Sequence, residues 1–146
     1  MFKFAGFRNM KMKKLSLVII PCFILLGCAD KKAQKKAALD SVINVHDKVM
    51  GADGELMKNK AELDTMIRTK KLPAGDSAVI LDNQLAAADS AMDVWMQHFD
   101  VDQKNKSEDE SIAYFRAQKK QITAIDSALT KAVGESTKYL AKIKTK

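Results

Sequence analysis

Apolar residues recur at alternating spacings of three and four residues along most of this chain, and this spacing is typical of one face of a packed α-helix. It extends from about residue 37 to 68, from about 77 to 99, and from about 108 to 143. No stretch alternates in the way that a β-strand bounded by turns does. The pattern therefore predicts three helices.

The predicted core consists of the residues that follow this spacing. They are Val42, Val45, Val49, Ala52, Leu56, Asn59, Leu63 and Met66 in the first helix; Leu81, Leu85, Ala88, Met92, Trp95 and Phe99 in the second; and Phe115, Gln118, Ile122, Ile125, Leu129, Ala132, Ser136 and Tyr139 in the third. Gly51 and Gly54 lie within the first helix, where each costs up to about 1 kcal/mol relative to alanine. They predict a kink or a close approach of another helix.

Turn and capping residues separate the helices. The proline and glycine of residues 73–75 predict a turn, with Asp76 or Ser77 as the N-cap of the second helix. Ser107 and Glu110 predict a capping box at the start of the third helix, in which each side chain bonds to the other residue's backbone N–H.

Short connections make sequential helices antiparallel, so the predicted fold is an all-α, antiparallel three-helix bundle formed by residues 37–146. This topology returns the acidic segment 100–110 to the base of the bundle, near the lysines of residues 31–36. The first and third helices are longer than the second by about two to three turns. We expect a homo-oligomer or a protein partner to cover the apolar surface left open. A candidate interaction tip at the far end comprises Arg68, Lys70, Lys71, Lys138, Lys142, Lys144 and Lys146.

The chain begins with a basic head and an apolar run, residues 15–26, that is too short to span a membrane. This arrangement predicts a secretory signal. Cys28 directly follows the small Gly27, and this junction resembles the lipobox of bacterial lipoproteins. The resemblance implies cleavage after residue 27, a lipid on Cys28 and a basic tether over residues 28–36. It implies a cell-envelope protein that meets a membrane through its lipid anchor, with the outer membrane favoured.

The charge of the whole chain overstates the charge of the body. The chain has 25 basic and 18 acidic residues, a net charge of +7. Five of the basic residues and none of the acidic ones precede Cys28, which leaves 20 against 18, or +2, after cleavage. The body is therefore not expected to bind nucleic acid. Cys22 leaves with the signal, so no thiol remains for a disulfide or for nucleophilic catalysis.

The sequence contains no motif that predicts an enzyme. His46 and His98 have no second metal ligand at a standard spacing, and no phosphate-binding glycine loop or nucleophile elbow is present. We therefore expect neither catalysis nor a cofactor other than the lipid on Cys28.

Four residues suggest an alternative function in handling Cu(I). Antiparallel packing brings His46 and Met50 near Met92 and Met96, and soft thioether and imidazole ligands select Cu(I). Methionines also fill gaps in helical cores, and a Trp at a core position normally packs there. The sequence leaves both interpretations open.

Three segments resemble a group of small Bacteroidetes lipoproteins that are often labelled "viral A-type inclusion protein". They are HDKVM at residues 46–50, AMDVWMQHF at residues 91–99 and YFRAQK at residues 114–119. Members of the group typically read HDEVM followed by proline, whereas this chain has Lys48 and Gly51 at those places. The resemblance covers nearly the whole body. It implies a helical envelope lipoprotein and supplies no mechanism.

The lysine-rich tail is similar to the end of the major outer-membrane lipoprotein of enteric bacteria. That similarity implies a second alternative, a link from the outer membrane to peptidoglycan through Lys146. The main functional expectation remains a helical structural or protein-interaction module that is anchored to the membrane.

Overall fold

The computed structural model describes residues 23–70, 72 and 74–145, and these residues form a three-helix bundle. Helix α1 spans Phe23–Lys70, α2 spans Ser77–His98 and α3 spans Glu108–Lys144. Helix α2 runs antiparallel to the other two helices. None of the described residues forms a β-strand. The predicted all-α fold is confirmed.

Helix α1 begins at Phe23, well before the predicted start near residue 37. Residues 29–36 include two alanines, four lysines and one glutamine, which are strong helix formers. Hydrogen bonds one turn apart add support: Gln34 donates to Asp30 at 2.9 Å, and Lys36 donates to Asp40 at 2.6 Å. The segment predicted as a tether, residues 28–36, therefore forms early turns of α1.

The two glycines of α1 do not mark a close approach of another helix. The helix continues through Gly51 and Gly54, and a Cβ atom placed on either residue would meet no atom within 4 Å. The predicted close approach of another helix is therefore wrong. Val49 and Leu56 are buried on the opposite side of α1. Burial of such side chains contributes about 1.5–3 kcal/mol each, more than the glycines cost.

The core follows the predicted positions closely. The buried apolar residues are Val42, Val49, Leu56 and Leu63 of α1; Ala78, Leu81, Leu85, Ala88, Met92 and Trp95 of α2; and Ile112, Phe115, Ile122, Leu129, Ala132 and Leu140 of α3. Gln118, which the spacing placed in the core, is only half-buried. It lines an open groove instead.

The connection between α2 and α3 packs over the base of the longer helices. Phe99 stacks on Trp95 with ring centroids 4.7 Å apart, and the N–H of Asp100 donates to the Tyr114 hydroxyl at 2.8 Å. Gln103 is buried and its side chain donates to the Asp100 carboxylate at 3.0 Å. Phe115 is fully buried beneath this connection. This connection therefore covers apolar surface of the longer helices at the base of the bundle.

Both predicted helix caps are present. Asp76 is the N-cap of α2 and accepts a hydrogen bond from the Ala78 N–H at 2.8 Å. Ser107 and Glu110 form the predicted capping box of α3. Hydrogen bonds from the backbone N–H and the hydroxyl of Ser107 lower the pKa of Glu110 below its usual value.

A buried polar group joins α1 to α3. The side-chain amide of Asn59 donates to the Ser136 hydroxyl at 3.0 Å and to the Thr137 hydroxyl at 2.8 Å. The Thr137 hydroxyl in turn donates to Glu55 at 3.2 Å. Because an unpaired buried amide is costly, these bonds favour one register of the two parallel helices.

Asn59→Ala is expected to lower the free energy of unfolding by about 2 kcal/mol, since it removes buried hydrogen bonds and leaves a void. Urea denaturation measures this loss. The matched control is Asn44→Ala, which changes an exposed asparagine of the same helix and is expected to shift stability by less than about 0.5 kcal/mol. Equal losses in the two variants would contradict a role for the buried amide.

Candidate functional site

The basic segment that follows Cys28 pairs with the start of α3. Lys31 forms an ion pair with Asp109, and the Lys35 Nζ lies 3.7 Å from a Glu108 carboxylate oxygen. The structure thus places the acidic end of the second connection beside the basic residues, as the topology predicted. The side chain of Cys28 lies outside the described residues.

The far end of the bundle gathers the ends of α1 and α3. Lys144 bonds to Glu62 at 2.7 Å, and this hydrogen bond lowers the pKa of Glu62. Arg68 pairs with Asp64 at 3.2 Å. The remaining members of the predicted tip divide into two groups: Lys70, Lys138 and Lys142 are exposed, whereas Lys71 and Lys146 lie outside the described residues. Two basic residues of the predicted interaction tip, Lys144 and Arg68, therefore form ion pairs within the chain.

Three of the four candidate metal ligands surround one small cavity. Met50 of α1 and Met92 and Met96 of α2 line a cavity of about 30 Å³. His46 does not line it: its ring centroid lies 6.3 Å from that of Trp95, and its Nδ1 is 3.1 Å from the Asp47 carboxylate. The structure therefore brings the three methionine side chains to one cavity and leaves His46 outside its lining.

Three carboxylates share this cavity with the methionines, although their spacing in the sequence does not mark them as a group. Asp53 of α1 and Asp89 and Asp93 of α2 belong to its lining. Burial, together with the carboxylates of Asp93 and Asp53, raises the pKa of Asp89. The nearby Lys60 is hydrogen-bonded to Asp82 at 3.3 Å. The cavity therefore combines soft ligands with negative charge.

A groove with walls of small side chains runs between α2 and α3. Two adjoining cavities of about 470 and 630 Å³ share Ala91, Ala124 and Ile125, so they form one continuous depression. Its other small wall residues are Ala87, Ala88, Ala128 and Ala132. Because small side chains reduce the distance between packed helices, this groove could admit a further helix closely. We call it the alanine groove.

A row of large apolar side chains lies exposed on α1. Ile43, Met50 and Met57 are seven residues apart, so they share one side of the helix, and their exposed fractions are 36%, 42% and 52%. Met50 also lines the cavity beside α2. The row therefore follows the outer edge of the α1–α2 interface. We call it the α1 ridge.

The alanine groove and the α1 ridge lie at the same height along the bundle. Residue 46 of α1 lies level with residue 95 of α2, and residue 60 lies level with residue 82. The groove, which extends along α2 from residue 84 to 98, is therefore level with about residues 44–58 of α1. The ridge occupies residues 43–57. Each feature is about 21 Å long at 1.5 Å per residue.

No described helix carries an apolar stretch of the length needed to cross a membrane. Within the same part of the chain, His, Cys, Asp and Glu side chains do not form any group of three suited to holding a metal ion. Comparison with protein-family models, curated proteins and solved structures finds no match to this chain.

Asp89→Asn is expected to raise the free energy of unfolding at neutral pH. Because folding raises the pKa of Asp89, the folded chain binds this proton more tightly, and its stability falls as the pH rises through the folded-state pKa. The gain at pH 7 should be at most about 0.5 kcal/mol, since solvent screens this partly exposed site. It should vanish once the pH lies below the ordinary pKa of 3.8.

Urea denaturation at about pH 7 and pH 3, on either side of the ordinary carboxyl pKa, measures this dependence. Asp82→Asn is the matched control on the same helix, because it loses an ion pair with Lys60 and should lower stability at pH 7. If Asp89→Asn instead lowers stability at pH 7, the Asp89 carboxylate of the unaltered protein is not destabilised by burial and by its acidic neighbours.

Proposed function

We propose that this chain is a lipid-anchored protein of the bacterial cell envelope, held at the membrane by Cys28, with the outer membrane favoured. It acts without catalysis, as a helical module that assembles with further copies of itself. The observation that carries the proposal is the match in height and length between the α1 ridge and the alanine groove.

Complementary shape supports self-association. The ridge presents Ile43, Met50 and Met57 to solvent, while the groove has alanine walls with room for large side chains. Exposed apolar surface of this kind is typical of an interaction site. Docking a ridge from a neighbouring copy adds a helix to the α2–α3 face, in the helix-in-groove mode.

Anchoring to one membrane adds a geometric argument. Copies that share a membrane through Cys28 stand side by side in the same orientation. Because the ridge and the groove lie at the same height in each copy, they meet without a shift along the bundle axis. A lipid anchor also confines the copies to a surface, which raises their effective concentration.

The two surfaces are different, and this difference sets the form of the assembly. The ridge lies at the α1–α2 edge and the groove lies between α2 and α3. A contact between unlike surfaces is heterologous, so repeated contacts form rings or rows rather than a closed two-fold dimer.

Cys28→Ala is expected to release the protein from the membrane fraction and to abolish incorporation of a radiolabelled fatty acid. Among the residues whose burial the structure describes, those that pack in the core begin at Ala38, well after residue 28, so circular dichroism of the released protein should retain its helical signal. Cys22→Ala is the matched control and should keep both the label and the membrane attachment. Persistent acylation of Cys28→Ala would contradict the anchor.

Crosslinking between two tagged copies tests the assembly. A copy with Met57→Cys and a copy with Ala87→Cys place one thiol on the ridge and one in the groove at nearly the same height. We expect a bismaleimide to join them in intact envelopes. Each variant expressed alone should give little product, because the contact is heterologous.

The matched control replaces the ridge thiol with Lys58→Cys, one residue further along α1. Lys58 is exposed and lines the α1–α3 side instead. Equal yields from the ridge pair and the control pair would refute ridge-in-groove contact. Strong linkage of either single variant to itself would indicate a symmetric interface and refute the proposed geometry.

A further inference from the structure

We propose that Met50, Met92 and Met96 form a binding site for a soft monovalent cation, Cu(I) or its analogue Ag(I). The site lies outside the alanine groove and adds an activity that the helical module does not need. Its residues differ from the set that the sequence suggested. His46 is not among them, and three acidic side chains lie around the methionines.

The exposure of the methionines separates this cluster from ordinary core packing. Met92 is buried, with an exposed fraction of 4%, whereas Met96 and Met50 are exposed by 38% and 42%. A methionine that only fills a gap in the core has its thioether enclosed. Here buried Met92 and the two partly exposed methionines line the same cavity, so an ion has a path from solvent.

The size of the cavity fits a single ion. Its volume of about 30 Å³ exceeds the 10–15 Å³ or so needed to hold one water molecule. Thioethers are soft, uncharged ligands that favour Cu(I) over the hard cations Mg²⁺ and Ca²⁺. The ligand type therefore points to a soft metal, and the volume points to one ion.

The carboxylates supply the charge that neutral thioethers lack. Asp53, Asp89 and Asp93 lie around the same cavity, so their negative charges are brought close together, and a bound cation would offset them. Lys60 is already paired with Asp82, so it does not fill this role.

Titration of the full chain in detergent micelles with Ag(I) tests the site. Ag(I) is stable in air and diamagnetic, so methionines labelled with ¹³C at the methyl group report on it by NMR. We expect saturation at one equivalent, with large methyl shifts for Met50, Met92 and Met96. Met57 and Met66 lie in the same helical body outside the cavity and serve as internal controls.

Single Met→Leu variants identify the ligands, since leucine keeps nearly the same volume. We expect each of Met50→Leu, Met92→Leu and Met96→Leu to weaken Ag(I) binding at least tenfold. Loss of a residue that only supports a metal ligand already weakens metal affinity by about 10- to 100-fold. Met57→Leu and His46→Ala should leave affinity unchanged. Circular dichroism verifies that each variant is folded.

Several outcomes would overturn the site. They are the absence of methyl shifts at one equivalent of Ag(I), equal shifts at Met57 and Met66, and unchanged affinity in all three cavity variants. Loss of affinity in His46→Ala comparable to that in Met92→Leu would refute this ligand set. Because Met57→Cys tests assembly and Met92→Leu tests metal binding, either proposal can fail while the other stands.

Discussion

The hydrogen bonds of the buried Asn59 with Ser136 and Thr137 fix how α1 and α3 lie against each other, and the other features depend on this register. Hydrophobic contacts alone tolerate a shift by one heptad, because each helix repeats similar apolar side chains. A buried amide tolerates no such shift, because it would lose its partners. Asn59 and Thr137 are 78 residues apart in the sequence, and so are the partners of the ion pairs Lys31–Asp109 and Lys48–Asp126. All three contacts therefore fit one register.

The shortness and small side chains of α2 give the bundle its two surface features. With 22 residues against 48 and 37, α2 lies against the far part of its neighbours, where its N-cap Asp76 meets Tyr139 near the end of α3. Alanines along its α3 side leave the alanine groove open. Methionines and aspartates along its α1 side leave a small polar-lined cavity. One helix therefore separates an apolar groove from a cavity lined by methionines and aspartates.

The sequence predicted the helices, both caps and nearly the whole core, because spacing and capping chemistry are local signals. It could not predict that Gln103 is buried with a left-handed backbone, φ 48°, because a loop takes its conformation from what it covers. It also missed the alanine groove. Alanines four residues apart on both sides of it, at 87 and 91 and at 124 and 128, were the available signal.

The placement of the candidate ligands could be predicted where it depends on topology, but not where it depends on rotation about a helix axis. Antiparallel packing was enough to bring Met50 to Met92 and Met96. His46 is one turn away from Met50, but it faces Trp95 rather than the cavity. Residues four apart on a helix point in directions that are similar but not identical. The cavity of about 30 Å³ is small enough that Met50 lines it and His46 does not.

Met50 belongs both to the α1 ridge and to the methionine cavity, so the two proposed activities are coupled. Under the two proposals, the Met50 side chain contacts a bound metal ion in the cavity and also contacts the groove of a neighbouring copy. By thermodynamic linkage, any change that metal binding makes in self-association must appear equally as a change that self-association makes in metal affinity. Because one side chain serves both proposed contacts, each proposed activity bears on the other.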